Sequence, residues 1–380
     1  MRRLTMFVIL ILLLAGCATL DLDKDEVVKE EETKTKEEQQ PSIATDHQLS
    51  KDNYRTILPY RPSEARGVIT QQVSNRVDID EMEESLRRHS KEYFDPKKYY
   101  FEEGQYLTRD LVLDWIDDLN PEEKEFDEDT SEKEKKKFFK ENPRFLSHIL
   151  EQNFLEKKDD DTVELAGVSL GIALKSVYRY QTEEGGPDYY EDISKSEMLK
   201  KGKKAAQEIL ERIRQIEGVE NVPILIELYR EEEQSSPVPG SFVARTYVQG
   251  GDMKIDKWES IDEKHVLFPS EEAEEQYFED YQLINNFGEE VAQFFPDYVG
   301  YVGDGFYVDG ELNRLSIDIP LEFYSKGEVI GFTQYTYGLV QEMLPNHYDL
   351  EIKISSADTL ESLIYREAGE DEAKVHILHQ

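Results

Sequence analysis

The chain contains one cysteine, Cys17, and the residues ahead of it give that thiol a specific chemistry. Leu14, Ala15 and Gly16 place an aliphatic residue and two small ones directly before it, the order of a bacterial lipobox in which a signal peptidase cuts ahead of a lipid-bearing cysteine. A thiolate is the nucleophile needed to form a thioether with diacylglycerol, so Cys17 is read as the lipid attachment site and the diacylglycerol as the only bound group expected. Arg2 and Arg3 precede the apolar run Met6 to Leu14. That run is shorter than the roughly 20 residues a membrane-spanning helix needs. It has the proportions of a signal-peptide core.

Other groupings could do chemistry. Gly167-Val168-Ser169-Leu170-Gly171 fits the G-x-S-x-G pattern of a nucleophile elbow, which needs a strand-to-helix turn to expose the serine. The residues that follow, IALKSVYRYQ, continue as strand, so the competing reading is a strand serine between two glycines. Gly300, Gly303 and Gly305 suggest a glycine-rich hairpin. Asp304, Asp309 and Glu311 beside them carry oxygens suited to calcium but without the EF-hand spacing. Asp159, Asp160 and Asp161 read as a solvated loop. On a terminal strand His376 and His379 would project to opposite faces, which argues against a shared zinc. No catalytic or metal site is expected. Tyr178, Tyr180, Tyr189, Tyr190, Tyr298, Tyr301, Tyr307, Tyr335 and Tyr337 lie near glycines and acids, as in a groove for peptide or sugar, or equally in half-buried sheets.

Composition narrows the classes. The 83 acidic and 45 basic side chains leave a net charge of −38, which argues against nucleic acid as a partner because phosphate binding needs a basic face. A lone cysteine excludes an internal disulfide framework and a Cys-rich zinc site. Anionic lipid and wall polymers would repel so acidic a body, favouring a domain held off the surface. Ala18 to Asp52, polar and charged, reads as the disordered tether that does this.

The elements follow from periodicity. Arg66 to Val77 is β-branched in flavour and predicts a strand, and DIDEMEESLRRHS after it predicts a helix with acids early and bases late. A second helix is expected over Asp110 to Leu119, then an acidic spacer from Pro121 to Lys137. A third is expected in NPRFLSHILEQNFL, with Asn142 as cap and Pro143 at its first position. Val163 to Tyr180 predicts a long, partly bent strand. Lys201 to Ile216 is an amphipathic helix, followed by strands at Val222 to Tyr229 and Phe242 to Val248. After a junction at Gly250 to Lys264 and a helix at Glu271 to Phe295, the arrangement recurs. It gives strand Leu315 to Tyr324, helix Val329 to Leu344, and strands Tyr348 to Ile354 and Val375 to Leu378. The expected class is α+β, with two related repeats of mixed strands and helices. Residues 1–16 are the signal peptide, 17–52 the lipidated cysteine and tether, 53–250 the first repeat and 251–380 the second.

Four stretches then resemble the CamS family of Gram-positive lipoproteins, the sex pheromone precursors: NYRTILPYRPSEARG from Asn53, NPRFLSHILEQNFL from Asn142, GVSLGIALKSVYRYQTEEGGP from Gly167 and PGSFVARTY from Pro239. The resemblance implies two related repeats, no enzymatic activity, and a membrane-anchored protein on the extracellular face. It also implies that the activity belongs to the discarded signal peptide, trimmed to about seven uncharged residues and sensed by plasmid-bearing donor cells, which answer with conjugation. An apolar peptide suits that task, since each buried aliphatic side chain gives roughly 1.5 to 3 kcal/mol in a receptor groove. The equivalent peptide here is Leu10 to Gly16, LILLLAG, which lacks the phenylalanine of the active pattern and ends in glycine. Two alternatives belong to other classes: the mature body as a binding module for a peptide or cell-wall glycan, and a surface hydrolase using Ser169.

Overall fold

The computed structural model describes residues 53–378, apart from positions 74, 128, 160, 161, 294, 296, 297, 299, 323, 324, 357 and 358, together with two short strands upstream. Leu14, Ala15, Gly16 and Cys17 lie outside the described residues, as do Asp160, Asp161 and His379. The upstream strands, β1 (Val27–Glu30) and β2 (Ser42–Ala44), fall within the segment expected to be a featureless tether. They centre on its β-branched residues Val27, Val28 and Ile43 and pair with each other, antiparallel.

The architecture is mixed α+β, on two main sheets. The first has nine strands in the order β1-β2-β3-β4-β5-β6-β9-β10-β11. After the first two these are β3 (Arg55–Leu58), β4 (Tyr100–Glu103), β5 (Leu146–Asp159), β6 (Thr162–Leu174), β9 (Ile224–Arg230), β10 (Ser241–Val248) and β11 (Glu259–Ser260). A separate hairpin, β7 (Val177–Gln181) with β8 (Asp188–Asp192), projects from the end of β6. The second sheet runs in chain order through β12 (Glu263–Phe268), β13 (Val302–Val308), β14 (Glu311–Pro320), β15 (Asp349–Ser356), β16 (Thr359–Arg366) and β17 (Lys374–Ile377). Both sheets contain one connection pattern. An antiparallel pair (β5 with β6, β13 with β14) is followed by a crossover helix to a parallel strand (β9, β15) and an antiparallel return (β10, β16).

The helices are α1 (Arg66–Gln72), α2 (Arg76–Ser90), α3 (Arg109–Leu119), α4 (Glu132–Glu141), α5 (Lys195–Ile213), α6 (Glu271–Gln276), α7 (Phe278–Ala292) and α8 (Lys326–Met343). On one face of the first sheet, Val112 and Trp115 of α3 and Met198, Ala205, Ile209 and Ile213 of α5 cover Val168, Leu170, Ile172, Ile224 and Ile226. Ile69 of α1 and Met82 and Leu86 of α2 cover the other face with Tyr229 and Phe242. The second sheet buries Leu315, Ile317, Ile352 and Ile354 under Ile284, Phe287 and Val291 of α7 and Phe332 and Val340 of α8.

Several sequence expectations are corrected. Arg66 to Val77 begins as a short helix, α1, that ends at extended Val73, and the Asn75 side chain caps α2 by accepting from the Val77 amide. Burying Val68 and Ile69 against the sheet overrides their β propensity. NPRFLSHILEQNFL is not a helix but β5, one arm of the long β5–β6 hairpin. Asn142 instead ends α4, its side-chain amide donating to the Phe138 carbonyl at 2.9 Å, so part of the acidic spacer is helical, starting at a Ser131/Glu134 capping box. β5 is buried on both faces, so the alternation that identifies a strand is absent from its sequence. The helix expected from Glu271 to Phe295 is broken at Tyr277 into α6 and α7.

Candidate functional site

The G-x-S-x-G stretch lies in the middle of β6. Gly167, Ser169, Gly171 and Ala173 alternate onto the face that receives α2 and form a floor of small residues beneath it. A Cβ at Gly167 would fall within the Phe94 ring, and one at Gly171 would lie 2.8 Å from the Met82 methyl. Ser169 is fully buried, with its Oγ 2.7 Å from Ser90 Oγ, which donates in turn to the Leu86 carbonyl at 2.6 Å. No imidazole or carboxylate contacts this serine among the described residues, and no strand-to-helix turn exposes it. The motif serves helix packing.

Because α2 lies so close to the first sheet, its opposite side meets the second. Glu81, Glu84 and Arg88, spaced to share a helix face, confront His265 of β12, Asp304 and Phe306 of β13 and Arg314 of β14. His89 bridges the two sheets. Its Nδ1 is 2.7 Å from Glu227 of β9 and its Nε2 is 2.8 Å from Glu263 of β12. His265 Nδ1 meets both Asp304 oxygens at 3.0 Å, while its Nε2 stands 3.4 Å from Glu81, an ion-pair distance. Arg88 pairs with Glu263 at 3.1 Å and lies over the Phe306 ring at 4.6 Å. Arg314 approaches Glu81 at 3.7 Å and Glu84 at 3.5 Å.

The protonation states follow. Burial alone would lower the His89 pKa, but the carboxylates of Glu227 and Glu263 hold it at about 9. His265 likewise resists burial through Asp304 and Glu81 and sits at about 9. Burial would raise Glu81, yet His265, Arg88 and Ser85 hold it down at about 2. Both imidazoles are therefore cations at neutral pH, each clamped between acids. The charges of the seam are engaged with one another, and none of the described residues form a cluster able to hold a metal ion. Such an arrangement fastens two sheets together and leaves little reach toward a ligand.

Among the described residues, cavities at two places are open to one. The smaller, about 100 Å³, lies between α1, α2 and β4–β5. His148 and Gln152 line it, with His148 Nδ1 and Gln152 Oε1 lacking protein partners. Burial pushes His148 down to about 3, so it is neutral. At roughly 30 Å³ per water this space suits a few waters.

The larger cavity, about 360 Å³, is a cleft of the size that holds small ligands. One wall is the outer face of the β7–β8 hairpin, where Arg179 and Tyr190 are cross-strand partners. The other is the β9–β10 loop, Glu231 to Ser235. Asp78 at the start of α2 fixes this loop by accepting from the Glu232 amide at 3.2 Å, the Gly240 amide at 2.6 Å and the Tyr229 hydroxyl at 2.8 Å. Asn75 donates to the Ser236 carbonyl at 2.9 Å. Lys175 forms the floor, and Arg179 reaches across the mouth to Gln234 at 3.4 Å. Tyr190, 61% exposed, presents its ring to solvent beside the cleft.

The tyrosines singled out in the sequence separate. Tyr178, Tyr180 and Tyr189 form a chain of rings, with Phe139 of α4 against Tyr178 and Tyr180, on the inner face of the hairpin. Tyr298, Tyr301, Tyr307, Tyr335 and Tyr337 pack with the core of the second sheet. Of these tyrosines, Tyr190 borders the large cleft. The glycine-rich hairpin is present as β13–β14, turning at Asp309 (φ 51°) and Gly310 (φ 81°). Asp304 belongs to His265 rather than to a calcium site. His376 lies on β17. The seam residues His89, Glu227, Glu263 and His265 and the floor residue Lys175 were not singled out by sequence. The signals were there: charged residues three and seven apart on α2, and a lysine set inside the apolar run of β6 and its extension.

A family model described as CamS sex pheromone cAM373 precursor matches residues 60–372. The crystal structure of a sex pheromone precursor from Lactobacillus salivarius subsp. salivarius UCC118 is similar with a TM-score of 0.80 at 30% identity, covering 89% of this chain and 99% of that one. The C-terminal domain of the sex pheromone staph-cAM373 precursor from Staphylococcus aureus is similar with a TM-score of 0.67 at 28% identity, covering 81% of this chain and 98% of that one. Among curated proteins, none matches.

Proposed function

Because the chain belongs to the CamS family of sex pheromone precursors, we propose that it is made as a precursor, cut before Cys17 and anchored by diacylglycerol on the extracellular face of the membrane. The released signal peptide, trimmed to Leu10 to Gly16, is the signalling product. The mature body is non-enzymatic. The observation that carries this reading is the sequence Leu14-Ala15-Gly16-Cys17, with the chain's single cysteine at the anchor position, ahead of a body that the family model matches. No helix of the described residues is long and apolar enough to cross a membrane, which agrees with a lipid anchor at Cys17. The connection pattern common to both sheets supports the further reading that the body arose by duplication of one unit.

The test labels cells with radioactive palmitate and assays culture supernatants for induction of plasmid transfer in responsive donors. Labelled protein is expected from the natural chain and none from Cys17→Ser. Induction is expected to follow residues 1–16 and to disappear when an unrelated lipoprotein signal replaces them. Equal labelling of both chains would remove the anchor. Silence from both supernatants would confine the pheromone to the family's ancestry.

A second reading, that the mature body binds a ligand, is favoured by the cleft between the β7–β8 hairpin and the Glu231–Ser235 loop. Its volume and its bordering aromatic ring suit a peptide or a wall glycan.

A further inference from the structure

Lys175 sets the chemistry of that cleft. It continues the line of β6, flanked by fully buried Leu174 and by buried Ser176, and is itself half-buried and lines the cavity. Among the described residues, that ammonium makes no hydrogen bond or ion pair. Burial, with Arg144 adding to it, pulls the Lys175 pKa below the usual lysine range, and Glu231 offsets this only in part. The Glu231 carboxylate accepts a hydrogen bond from Ser147. A desolvated ammonium is costly to the extent that its acid neighbour does not compensate it, and an entering anion would add to what Glu231 supplies. On the facing wall Glu232 and Glu233 follow Glu231 along the loop, and burial raises the pKa of Glu232 above the usual carboxylate value. The cleft therefore offers a cationic floor, an acidic wall and, at Tyr190, an apolar face. Glu232 pairs with Arg230 at 3.5 Å and Glu233 accepts from the Ser235 hydroxyl at 2.8 Å, so a neutral sugar would satisfy the ring and add no charge compensation on floor or wall.

We propose that this cleft binds a short zwitterionic peptide, its carboxylate on Lys175, its free amino group on the Glu232–Glu233 wall and a side chain against Tyr190. The proposal rests on the second reading above, that the mature body is a binding module, and deepens it by naming the ligand class. Cations and acids on opposite walls recognise the two ends of one small molecule at once, and a blocked end forfeits one of them. The weak Arg179–Gln234 contact across the mouth is one an entering ligand would displace.

The experiment is calorimetric titration of the full chain in detergent micelles with four probes: the dipeptide alanyl-tyrosine, its N-acetyl form, its C-terminal amide, and the disaccharide of N-acetylglucosamine. The free dipeptide is expected to bind, and each blocked form to bind at least tenfold more weakly. Lys175→Met is expected to weaken the free dipeptide at least tenfold while hardly altering the amide, and Tyr190→Ala to weaken all forms of the dipeptide. The blocked ligands test the idea on unaltered protein, so a poorly folding variant does not obscure it. Equal binding of free and blocked dipeptide overturns the zwitterion proposal. Binding of the disaccharide alone also overturns it while leaving a binding module for glycan. Binding of none of the probes removes the proposal and the support the cleft lends to the second reading.

Discussion

His89 and His265 each keep a proton that a free imidazole would have largely lost at neutral pH, because each sits between two carboxylates in a place with little water. Their folded pKa of about 9 lies above the ordinary 6.5. The stabilisation is therefore complete below pH 6.5 and drains away as pH rises through 9. Each histidine is worth on the order of 3 kcal/mol. Urea unfolding between pH 6 and 9.5 is expected to show stability falling, and His89→Gln to remove about half of that slope. A flat wild-type profile would contradict the clamped imidazoles. On the acid side, Glu81 held at about 2 contributes above its ordinary 4.5 and is lost as pH falls toward 2. His148, neutral until about 3, adds a loss from pH 6.5 downward because the unfolded chain takes up its proton first. Asp78, raised to about 6 by burial despite its three hydrogen bonds, runs the other way: its contribution fades as pH rises from 3.8 to 6.

At the scale of elements, the approach of α2 to the first sheet depends on side chains that are missing. Gly167 and Gly171 leave room for Phe94 and Met82, and the Phe94 ring stacks on Phe154 at 4.5 Å. Gly167→Ala is expected to destabilise by about 1–3 kcal/mol, since the added methyl must displace a stacked ring from a packed core. Thermal unfolding measures this, and an unchanged midpoint would mean that α2 can shift freely. The same packing explains why the motif misleads. Two glycines around a serine describe an elbow and equally a groove for a helix, and only the neighbour across the groove decides. The reading of β5 failed for a related reason. Leu146, Ile149 and Phe154 are compatible with helical spacing, and with His148, Gln152 and Asn153 also buried the strand shows no polar face to betray it. The amphipathic helix α5 and the alternating strands β14 and β15, each with one exposed side, were legible for the opposite reason.

At the scale of the whole molecule, two sheets with separate cores are joined through α2 and by a direct contact of β10 with β12, where the Ser241 hydroxyl donates to the Glu263 carbonyl at 2.8 Å. Glu81 is the node, within reach of His265, Arg88 and Arg314. Removing one partner from a buried ionic group costs about 3–5 kcal/mol, because the others remain buried without compensation. Glu81→Gln is expected to lower stability by that order and to divide a single calorimetric transition into two, one for each core. A single transition at lower temperature would show that the halves are held by other contacts.

The sequence by itself determined what depends on local order along the chain: the order Leu14-Ala15-Gly16-Cys17 on which the proposed anchor rests, and the helices and strands with one wet face. It also showed the charge balance that argues against nucleic acid, and the four stretches that carry the family resemblance. Tertiary structure decided what depends on residues brought together from far apart. His89 meets Glu227 and Glu263 across separations of 138 and 174 residues, and Lys175 faces a loop more than fifty residues downstream. A charge's partner, and whether it has one, is a property of the space around it, and a linear pattern with a period of two or 3.6 residues carries no record of that space.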